Sequence, residues 1–386
     1  MPDLPAPPDA DALALSDQLA ARMRTAMAVA GGRLSFDAYM HLALYEPGFG
    51  YYVNGLRKFG ADGDFTTAPE RSPLFARAMA RQVAQALAAV PQGEVLEFGP
   101  GSGALAVELL AELDLLGCLP RRYLMLELSA DLQQRQREAI ARRLPHLAGR
   151  VAWLQRLPDR FAGVVIANEV LDAMPVRRFR VVAGDIAELY VAPAGEGMNL
   201  VAGTPQDDQL NSRLAPLGLS AGYESEVNFA AEAWVRTLCE RLQRGLLLLI
   251  DYGYPQAEYY HPQRHTGTLR CHYRQRAHAD VLRWPGLQDI TAHVDFTAIA
   301  QAGCEAGASL AGFANQAQFL INCGLPQLLE AVDPADPQYV DLALQARQLL
   351  LPQAMGETFK VLALTRGLDD GAGLIGFASG DRRHRL

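Results

Sequence analysis

The sequence predicts an α/β fold built on a parallel, Rossmann-like sheet. Between residues 95 and 167, short apolar runs alternate with helix-like segments, which is the pattern of βαβ units. The first run, residues 95–98, stops at three glycines spaced two apart, and a helix-like run of Ala, Leu and Glu follows. A later aliphatic run, residues 246–250, predicts another buried strand of the same sheet. Ligand chemistry is therefore expected at the carboxyl ends of these strands.

The individual elements follow from hydrophobic periodicity. Apolar positions three and four residues apart predict helices at residues 12–30, 36–44, 73–90, 131–144, 229–242, 295–302, 316–325 and 340–350. Apolar runs predict strands at residues 95–98, 123–128, 151–153, 163–167, 246–250, 308–313 and 359–365. Residues 179–192 fit a β-hairpin that turns at Gly184-Asp185, and residues 193–222 are predicted to be a loop. The sequence thus predicts a parallel core into which a hairpin is inserted.

Composition limits the classes of function. The chain has 386 residues, half of them hydrophobic, which suffices for one large core with insertions or for two domains. A net charge of −8 argues against general binding to nucleic acid or to anionic membranes. The longest aliphatic run is far too short to span a bilayer, so we expect no membrane insertion. Five scattered cysteines predict neither a disulfide framework nor a metal site, and the bacterial cytoplasm is the expected location.

The turn after the first strand, Glu-Phe-Gly-Pro-Gly-Ser-Gly at residues 97–103, predicts a cofactor site. Glycine exposes backbone N–H groups and lets a helix N-terminus approach a ligand, because no Cβ intervenes. Dinucleotide sites use G-x-G-x-x-G, whereas G-x-G-x-G with an acid two residues before it is the S-adenosylmethionine pattern of methyltransferases. The second strand ends in Glu127, which is placed to accept from two ribose hydroxyls. The expected cofactor-binding residues here are Glu97, Gly99, Pro100, Gly101, Gly103, Glu127 and Asn168.

Five separate stretches together resemble one family. They are Gly-Asp-Phe-Thr-Thr-Ala-Pro-Glu (63–70), Glu-Phe-Gly-Pro-Gly-Ser-Gly-Ala-Leu (97–105), Asn-Glu-Val-Leu-Asp-Ala-Met-Pro-Val (168–176), Gly-Thr-Leu-Arg-Cys-His (267–272) and Asp-Ile-Thr-Ala-His-Val-Asp-Phe (289–296). From about residue 12 to residue 366, the chain resembles the MidA-like protein arginine methyltransferases. These are bacterial relatives of the mitochondrial methyltransferase that assists assembly of respiratory complex I. One departure is Arg71-Ser72, where an aliphatic residue and serine are expected.

The resemblance implies a class I methyltransferase sheet with an N-terminal helical segment, an inserted hairpin and a long inserted loop. It implies S-adenosylmethionine as cofactor, S-adenosylhomocysteine as product, and symmetric dimethylation of an arginine on a subunit of the respiratory NADH dehydrogenase. The partner would be a protein that presents an arginine and not a nucleic acid, and a homodimer is compatible with the sequence. The loop expected to cover the cofactor contributes Asp64, Phe65, Thr66, Thr67 and Pro69.

The expected organisation has three parts. Residues 1–90 form the N-terminal helical segment and the cofactor-covering loop. Residues 91–366 form the Rossmann-like core, with insertions at about 176–244 and 252–292. Residues 367–386 form a C-terminal tail. Loops as long as the second insertion are usually functional or disordered, and its aromatic content favours function.

An arginine acceptor would need carboxylates close by. Its guanidinium is always protonated, and it must approach a cationic sulfonium. Two unit charges about 4 Å apart at an effective dielectric near 20 repel by roughly 4 kcal/mol. Glu169, just past the fourth strand, is the first candidate to bind the guanidinium, with Asp172 and Glu226 as seconds. For Glu169 a capping role or a ribose contact competes with this role, and for Asp172 a capping or structural role does.

His293 precedes a helix in a polar stretch that also contains Asp295. A neutral imidazole there could accept the departing proton or hold the insertion in place. Three functional classes remain open at this stage. They are a protein arginine methyltransferase, a small-molecule O- or N-methyltransferase, and a non-catalytic assembly factor that keeps S-adenosylmethionine as a structural ligand.

Overall fold

The structure is a computed structural model, and it describes residues 7–55, 67–368 and 373–386. The chain divides into two compact units, each assembled from three stretches of sequence. The first unit comprises Met1–Phe65, Asp172–Ala231 and Tyr254–Asp295. The second unit comprises Thr66–Leu171, Glu232–Gly253 and Phe296–Leu386. Both units therefore draw on segments that lie far apart along the chain.

Helices and strands occur throughout the described residues. The α-helices are α1 (Ala10–Val29), α2 (Phe36–Tyr45), α3 (Ala68–Arg71), α4 (Pro73–Ala88), α5 (Ala104–Leu115), α6 (Ala130–Arg143), α7 (Gln209–Leu214), α8 (Phe229–Arg241), α9 (Gln256–Tyr259), α10 (Phe296–Glu305), α11 (Gln316–Asn322), α12 (Leu325–Glu330) and α13 (Tyr339–Leu350). The strands are β1 (Leu34–Ser35), β2 (Glu94–Phe98), β3 (Tyr123–Leu126), β4 (Val151–Leu154), β5 (Phe161–Asn168), β6 (Arg177–Val182), β7 (Asp185–Ala194), β8 (Gly197–Gly203), β9 (Glu224–Val227), β10 (Leu242–Tyr254), β11 (Arg270–Tyr273), β12 (Arg276–His278), β13 (Asp289–Thr291), β14 (Val294–Asp295), β15 (Ser309–Asn315) and β16 (Phe359–Arg366).

The sheet of the second unit contains the predicted parallel core. Its strands follow the order β15, β16, β10, β5, β2, β3, β4. The strands from β10 to β4 pair in parallel, whereas β16 pairs antiparallel with both β10 and β15. Helices connect most of the parallel strands, as βαβ units require. The predicted fold class, a class I Rossmann-like sheet, is confirmed, and the antiparallel pair β15 and β16 makes it a mixed sheet.

Long apolar runs place the core of the second unit. Leu246, Leu248 and Ile250 in β10 are at most 1% exposed, as expected for strands covered on both faces. They share one buried cluster with Val164 of β5 and with Phe75 of α4. The amphipathic stripe predicted for residues 73–90 is therefore the core-facing side of α4. Among the described residues, no helix is both long and apolar enough to cross a membrane.

Two glycines let the central strands approach one another closely. Gly163 in β5 has φ +137°, and a Cβ on it would overlap the backbone oxygen of Glu94 in β2. Gly245 in β10 has φ +148°, and a Cβ on it would overlap the backbone oxygen of Gly163. The parallel pairing on both sides of β5 thus depends on missing side chains.

The first unit consists of antiparallel sheets and N-terminal helices. One sheet has the order β1, β7, β6, β9, with β8 also paired to β7, and a second has the order β12, β11, β13. The hairpin predicted at residues 179–192 is confirmed as β6 and β7, with Val182 opposite Asp185. Leu19 and Met23 of α1 and Phe36 of α2 are fully buried in the core cluster of this unit.

Three local predictions were wrong. The insertion at about residues 252–292, expected as one long loop, contains α9 and the sheet of β11, β12 and β13. Residues 193–222 are not a loop, because β8 and α7 lie within them. The signal for β8 is the alternation of half-buried Met198 and Leu200 with exposed neighbours, directly after a turn at Gly195. The single helix predicted at residues 316–325 is two helices, since Gly324 adopts φ +83° between α11 and α12. A left-handed residue at this position ends one helix before the next begins.

Replacing Gly163 with alanine should destabilise the second unit strongly. The added Cβ overlaps the β2 backbone, so the free energy of unfolding should fall by at least about 2 kcal/mol through overpacking and strain. Urea unfolding measures the change. Gly149→Ala is the matched control, because nothing lies within 4 Å of a Cβ at Gly149. Equal stabilities of the two variants would refute the close-approach argument.

Candidate active site

The glycine turn lies between β2 and α5, at the carboxyl edge of the parallel sheet. Gly99, Gly101 and Gly103 have φ of +58°, +53° and +84°, values that residues with a Cβ rarely adopt. Gly103 is the N-cap of α5, and its N–H donates to the Pro100 carbonyl at 2.8 Å. The turn therefore presents backbone and a helix N-terminus without intervening side chains.

Neighbouring segments pack directly on this turn. A Cβ on Gly99 would lie 3.3 Å from Cγ2 of Val170, and a Cβ on Gly103 would lie 3.1 Å from Cγ of Gln136. At these two positions a larger residue would therefore force the side chains of Val170 and Gln136 to shift. A bare backbone cradle of this kind fits the amino-acid end of S-adenosylmethionine, which the sequence motif predicts here.

Glu97 is buried in β2, with 2% of its surface exposed. It accepts a hydrogen bond from the Tyr123 hydroxyl of the adjacent strand β3 at 2.7 Å. Burial raises the pKa of Glu97 to about 7, the hydrogen bond from Tyr123 opposes this rise, and the charge of Glu127 adds to it. The structure thus gives Glu97 a partner between two strands, and its contact with the cofactor stays a prediction.

Glu127 follows β3 directly and lies beside the turn. Phe98 and Leu126 are register partners, and the Gly99 N–H donates to the Leu126 carbonyl at 3.2 Å. One carboxylate oxygen of Glu127 accepts from the Ser129 N–H at 2.8 Å. This geometry suits the predicted role of Glu127 at the ribose, since the end of the second strand meets the turn at one edge.

Asn168 and Glu169 lie at the end of β5, the other neighbour of β2. Glu169 has φ +54°, a left-handed conformation that is rare for a residue with a side chain. The Asn168 amide nitrogen donates to Oε1 of Glu169 at 3.2 Å. Oδ1 of Asn168 is buried and has no hydrogen-bond partner in the described parts of the chain. A buried acceptor of this kind next to the turn is an expected feature of a ligand site.

Asp251 in β10 holds this corner of the sheet, and sequence analysis missed its role. It is fully buried, and its Oδ2 accepts from the N–H groups of Val170 at 3.2 Å and of Leu171 at 3.0 Å. These bonds fix the backbone directly after Glu169. The available signal was an acid immediately after the aliphatic run 246–250, on the strand that pairs with β5.

Glu226 belongs to the first unit, where it is 1% exposed in β9. Its Oε1 accepts from the Thr268 N–H at 2.7 Å, from the Thr268 hydroxyl, and from the Tyr259 hydroxyl at 3.2 Å. Burial raises the pKa of Glu226, which the hydrogen bonds from Thr268 and the charge of Arg178 oppose. Its Oε2 is buried and accepts no hydrogen bond from the residues that the structure describes.

His293 and Asp172 are connected to the same region of the first unit. The backbone N–H of His293 donates to the Thr268 hydroxyl at 2.9 Å. The Ala292 N–H donates to the Asp172 carbonyl at 2.9 Å, and Asp172 is 5% exposed. Asp172, Glu226 and His293 therefore come together through Thr268 and Ala292, whereas Glu169 belongs to the second unit.

The predicted cofactor-covering loop is described only in part. Asp64, Phe65 and Thr66 lie outside the described residues. Thr67 is the N-cap of α3, and Pro69 is in the first turn of that helix. The contacts of these five residues with the cofactor stay predictions.

Comparisons with known proteins give consistent matches. A family described as S-adenosyl-L-methionine-dependent methyltransferase matches residues 76–314. The bovine mitochondrial protein arginine methyltransferase NDUFAF7 is 31% identical over 376 residues, which cover 86% of this chain and 80% of the relative. Its Drosophila melanogaster homologue is 28% identical over 380 residues, which cover 90% of this chain and 85% of the relative. A crystal structure from Burkholderia thailandensis, bound to S-adenosylhomocysteine, is 48% identical, covers both chains fully and has a TM-score of 0.96.

The raised pKa of Glu97 predicts a pH-dependent stability. Its pKa is about 7 in the folded chain and 4.5 ordinarily, so between these values the folded chain binds a proton that the unfolded chain lacks. This contribution to stability is complete below the ordinary pKa and is lost as pH rises through 7. Between about pH 4 and pH 8, the wild type should lose about 3 kcal/mol of unfolding free energy relative to Glu97→Gln.

Urea unfolding at stepped pH measures this difference. Gly149→Ala is again the control variant, because it changes no titratable group and its difference from wild type should therefore not change with pH. If the difference between wild type and Glu97→Gln were constant across the range, the pKa of Glu97 would be the same in the folded and unfolded chains, which would contradict the prediction.

Proposed function

The chain belongs to this family of S-adenosylmethionine-dependent methyltransferases, and from that premise we propose that it methylates an arginine side chain of a protein. The observation that carries the proposal is an acid, Glu169, in a left-handed backbone conformation beside the glycine turn. The mitochondrial relatives carry the name protein arginine methyltransferase, which agrees with this acceptor. We further propose a subunit of the respiratory NADH dehydrogenase as the protein substrate and the bacterial cytoplasm as the location.

The residues of the glycine turn form the first half of the proposed site. When bound, S-adenosylmethionine supplies an electrophilic methyl group on a sulfonium. The bare backbone of the turn at Gly99, Gly101 and Gly103 would hold its amino-acid end, because no side chain intervenes there, and Glu127 would accept from its ribose hydroxyls. The Asn168 side chain provides a further polar contact, because its buried Oδ1 has no hydrogen-bond partner in the described residues. Thr67 belongs to the loop that covers the ligand.

Glu169 forms the second half of the proposed site. A strained non-glycine conformation costs of order 1 to 3 kcal/mol and persists only where the surroundings impose it. Here the hydrogen bonds from Val170 and Leu171 to Asp251 impose it. This backbone conformation directs the Glu169 carboxylate toward the edge of the sheet at which the acceptor must approach. That charge offsets the repulsion between guanidinium and sulfonium and aligns the acceptor nitrogen.

Glu226, Asp172 and His293 are the further candidates for the acceptor side. Glu226 is supported by its buried Oε2, which accepts no hydrogen bond from the described residues. Its raised pKa means that a cationic guanidinium would favour the ionised form on binding. His293, whose backbone N–H donates to the same Thr268 hydroxyl that bonds Glu226, is the candidate for accepting the departing proton on its imidazole.

The acceptor class can be tested directly with labelled S-adenosylmethionine and a cell extract. Label in a protein band, recovered as methylarginine after hydrolysis, is the expected result. Label in small molecules would instead identify a small-molecule methyltransferase. Binding of the labelled cofactor without any transfer would identify a non-catalytic assembly factor. Either of the last two outcomes would overturn the proposal.

Replacing Glu169 with glutamine should separate acceptor binding from cofactor binding. The variant loses the charge but keeps the size and the hydrogen-bonding oxygen. We expect affinity for S-adenosylhomocysteine near the wild-type value and methyl transfer slower by at least about tenfold, equivalent to roughly 1.4 kcal/mol. Calorimetry and the label assay measure the two quantities. Glu138→Gln, on the exposed face of α6, is the control.

Two outcomes would contradict this role of Glu169. A loss of cofactor affinity in Glu169→Gln would assign the residue to the cofactor. Methylation of protein at the normal rate would remove it from the site, and Glu226 and Asp172 would then be the next positions to substitute.

A further inference from the structure

Gln136 is a buried polar residue in α6 that lies between two parts of the cofactor site. None of the surface of Gln136 is exposed to solvent. Burying an amide side chain is unfavourable unless its polar atoms are hydrogen-bonded. In Gln136 both ends of the amide are engaged, and the partners belong to three different segments of the second unit.

The amide nitrogen of Gln136 links the glycine turn to the ribose acid. It donates to the Gly101 carbonyl at 2.7 Å and to Oε2 of Glu127 at 3.3 Å. The Gly101 carbonyl oxygen carries a partial negative charge and the Glu127 carboxylate carries a full one. The two acceptors therefore repel one another unless a donor lies between them. An NH₂ group has two hydrogens and can satisfy both acceptors at once.

Trp153 determines which way the amide points. Its indole Nε1 donates to Oε1 of Gln136 at 2.8 Å. An indole N–H can only donate, so the atom that faces it must be the amide oxygen. The amide nitrogen is thereby directed at Gly101 and Glu127. Trp153 lies in β4, two strands away from the turn, and it therefore determines that the Gln136 amide presents its donor to the cofactor site.

Gly103 brings Gln136 within reach of the turn. A Cβ on Gly103 would lie 3.1 Å from Cγ of Gln136, which is tighter than most such contacts. The third glycine of the motif therefore has a packing role as well as a conformational one. It lets α6 sit close enough for the Gln136 amide to reach the Gly101 carbonyl.

We propose that Gln136 is a positioning residue that sets how the site recognises the ribose of the cofactor. Its amide holds the Glu127 carboxylate at a fixed place relative to Gly101. Glu127 keeps an orientation that accepts from the ribose hydroxyls while the turn binds the amino-acid end. Without Gln136, Glu127 turns away from the Gly101 carbonyl, and the preference for an intact ribose diol is lost. The inference depends on the cofactor and not on the identity of the acceptor.

Binding of S-adenosylhomocysteine and of its 3′-deoxyribose analogue, each measured by calorimetry, tests the proposal. The wild type should bind the intact ligand at least about tenfold more tightly, as expected for a charge-assisted hydrogen bond. Gln136→Met should reduce that preference to within about threefold of the preference shown by Glu127→Ala. The double variant should lose no further preference, because both substitutions act on the same contact.

Two control variants separate positioning from packing. Gln133→Met removes a bond to the Glu127 backbone carbonyl and leaves the carboxylate untouched, so the ribose preference should persist. Gln134→Met alters the exposed face of the same helix. If Gln136→Met weakened both ligands equally, or neither, Gln136 would be structural only and the proposal would be overturned.

If the methionine variant does not fold, Gln136→Glu is the second test of the proposal. The carboxylate keeps the acceptor for Trp153 but places a negative charge next to Glu127. It should lower the preference for the intact ribose at least as much as Gln136→Met, because two carboxylates then face one another without a donor between them. A preference that equals wild type would contradict the proposal.

Discussion

The close pairing of β5 between β2 and β10 is the constraint on which the candidate active site depends. It brings the ends of β2 and β5 into one row with Ile250 of β10, because Phe98 lies opposite Ala167 and Asn168 lies opposite Ile250. The glycine turn and the strained acid Glu169 follow the two strand ends directly, and the buried Asp251 follows Ile250 within β10. A wider spacing of the strands would take the Asp251 carboxylate out of reach of the backbone after Glu169. The geometry of the acid is thus set by packing inside the sheet.

Buried hydrogen bonds then convert this packing into fixed positions. Asp251 accepts from two consecutive N–H groups after β5, and Gln136 connects the turn with Glu127. Both residues are fully buried, where a hydrogen bond is electrostatically stronger and a lost partner costs more than in water. Such bonds hold polar groups in one orientation before a ligand arrives. Preorganised positions are what methyl transfer requires, because alignment of the reacting groups supplies most of the catalysis.

Local signals in the sequence were sufficient for the turn, the parallel strands and the β6–β7 hairpin. Glycine spacing, apolar runs and a Gly-Asp turn are each contained within a few residues. Asp251 and Gln136 could not be assigned in this way, since their roles depend on partners 80 and 35 residues away. Strand β8 was missed because one of its faces is mostly exposed and the other is only half-buried. The alternation of apolar and polar residues in its sequence is therefore weak. The candidates for binding the acceptor included Asp172, Glu226 and His293, whose connection through Thr268 and Ala292 is likewise a tertiary feature.

Hydrogen–deuterium exchange with and without S-adenosylhomocysteine tests most directly that this edge of the sheet receives the cofactor. The ligand should slow exchange in peptides that cover residues 97–103, 127–136 and 168–171, because bound backbone and ordered strand ends open less often. Helix α13 should exchange at the same rate in both states. Saturating binding that leaves those three segments unchanged, or protects a different edge of the sheet, would contradict the account.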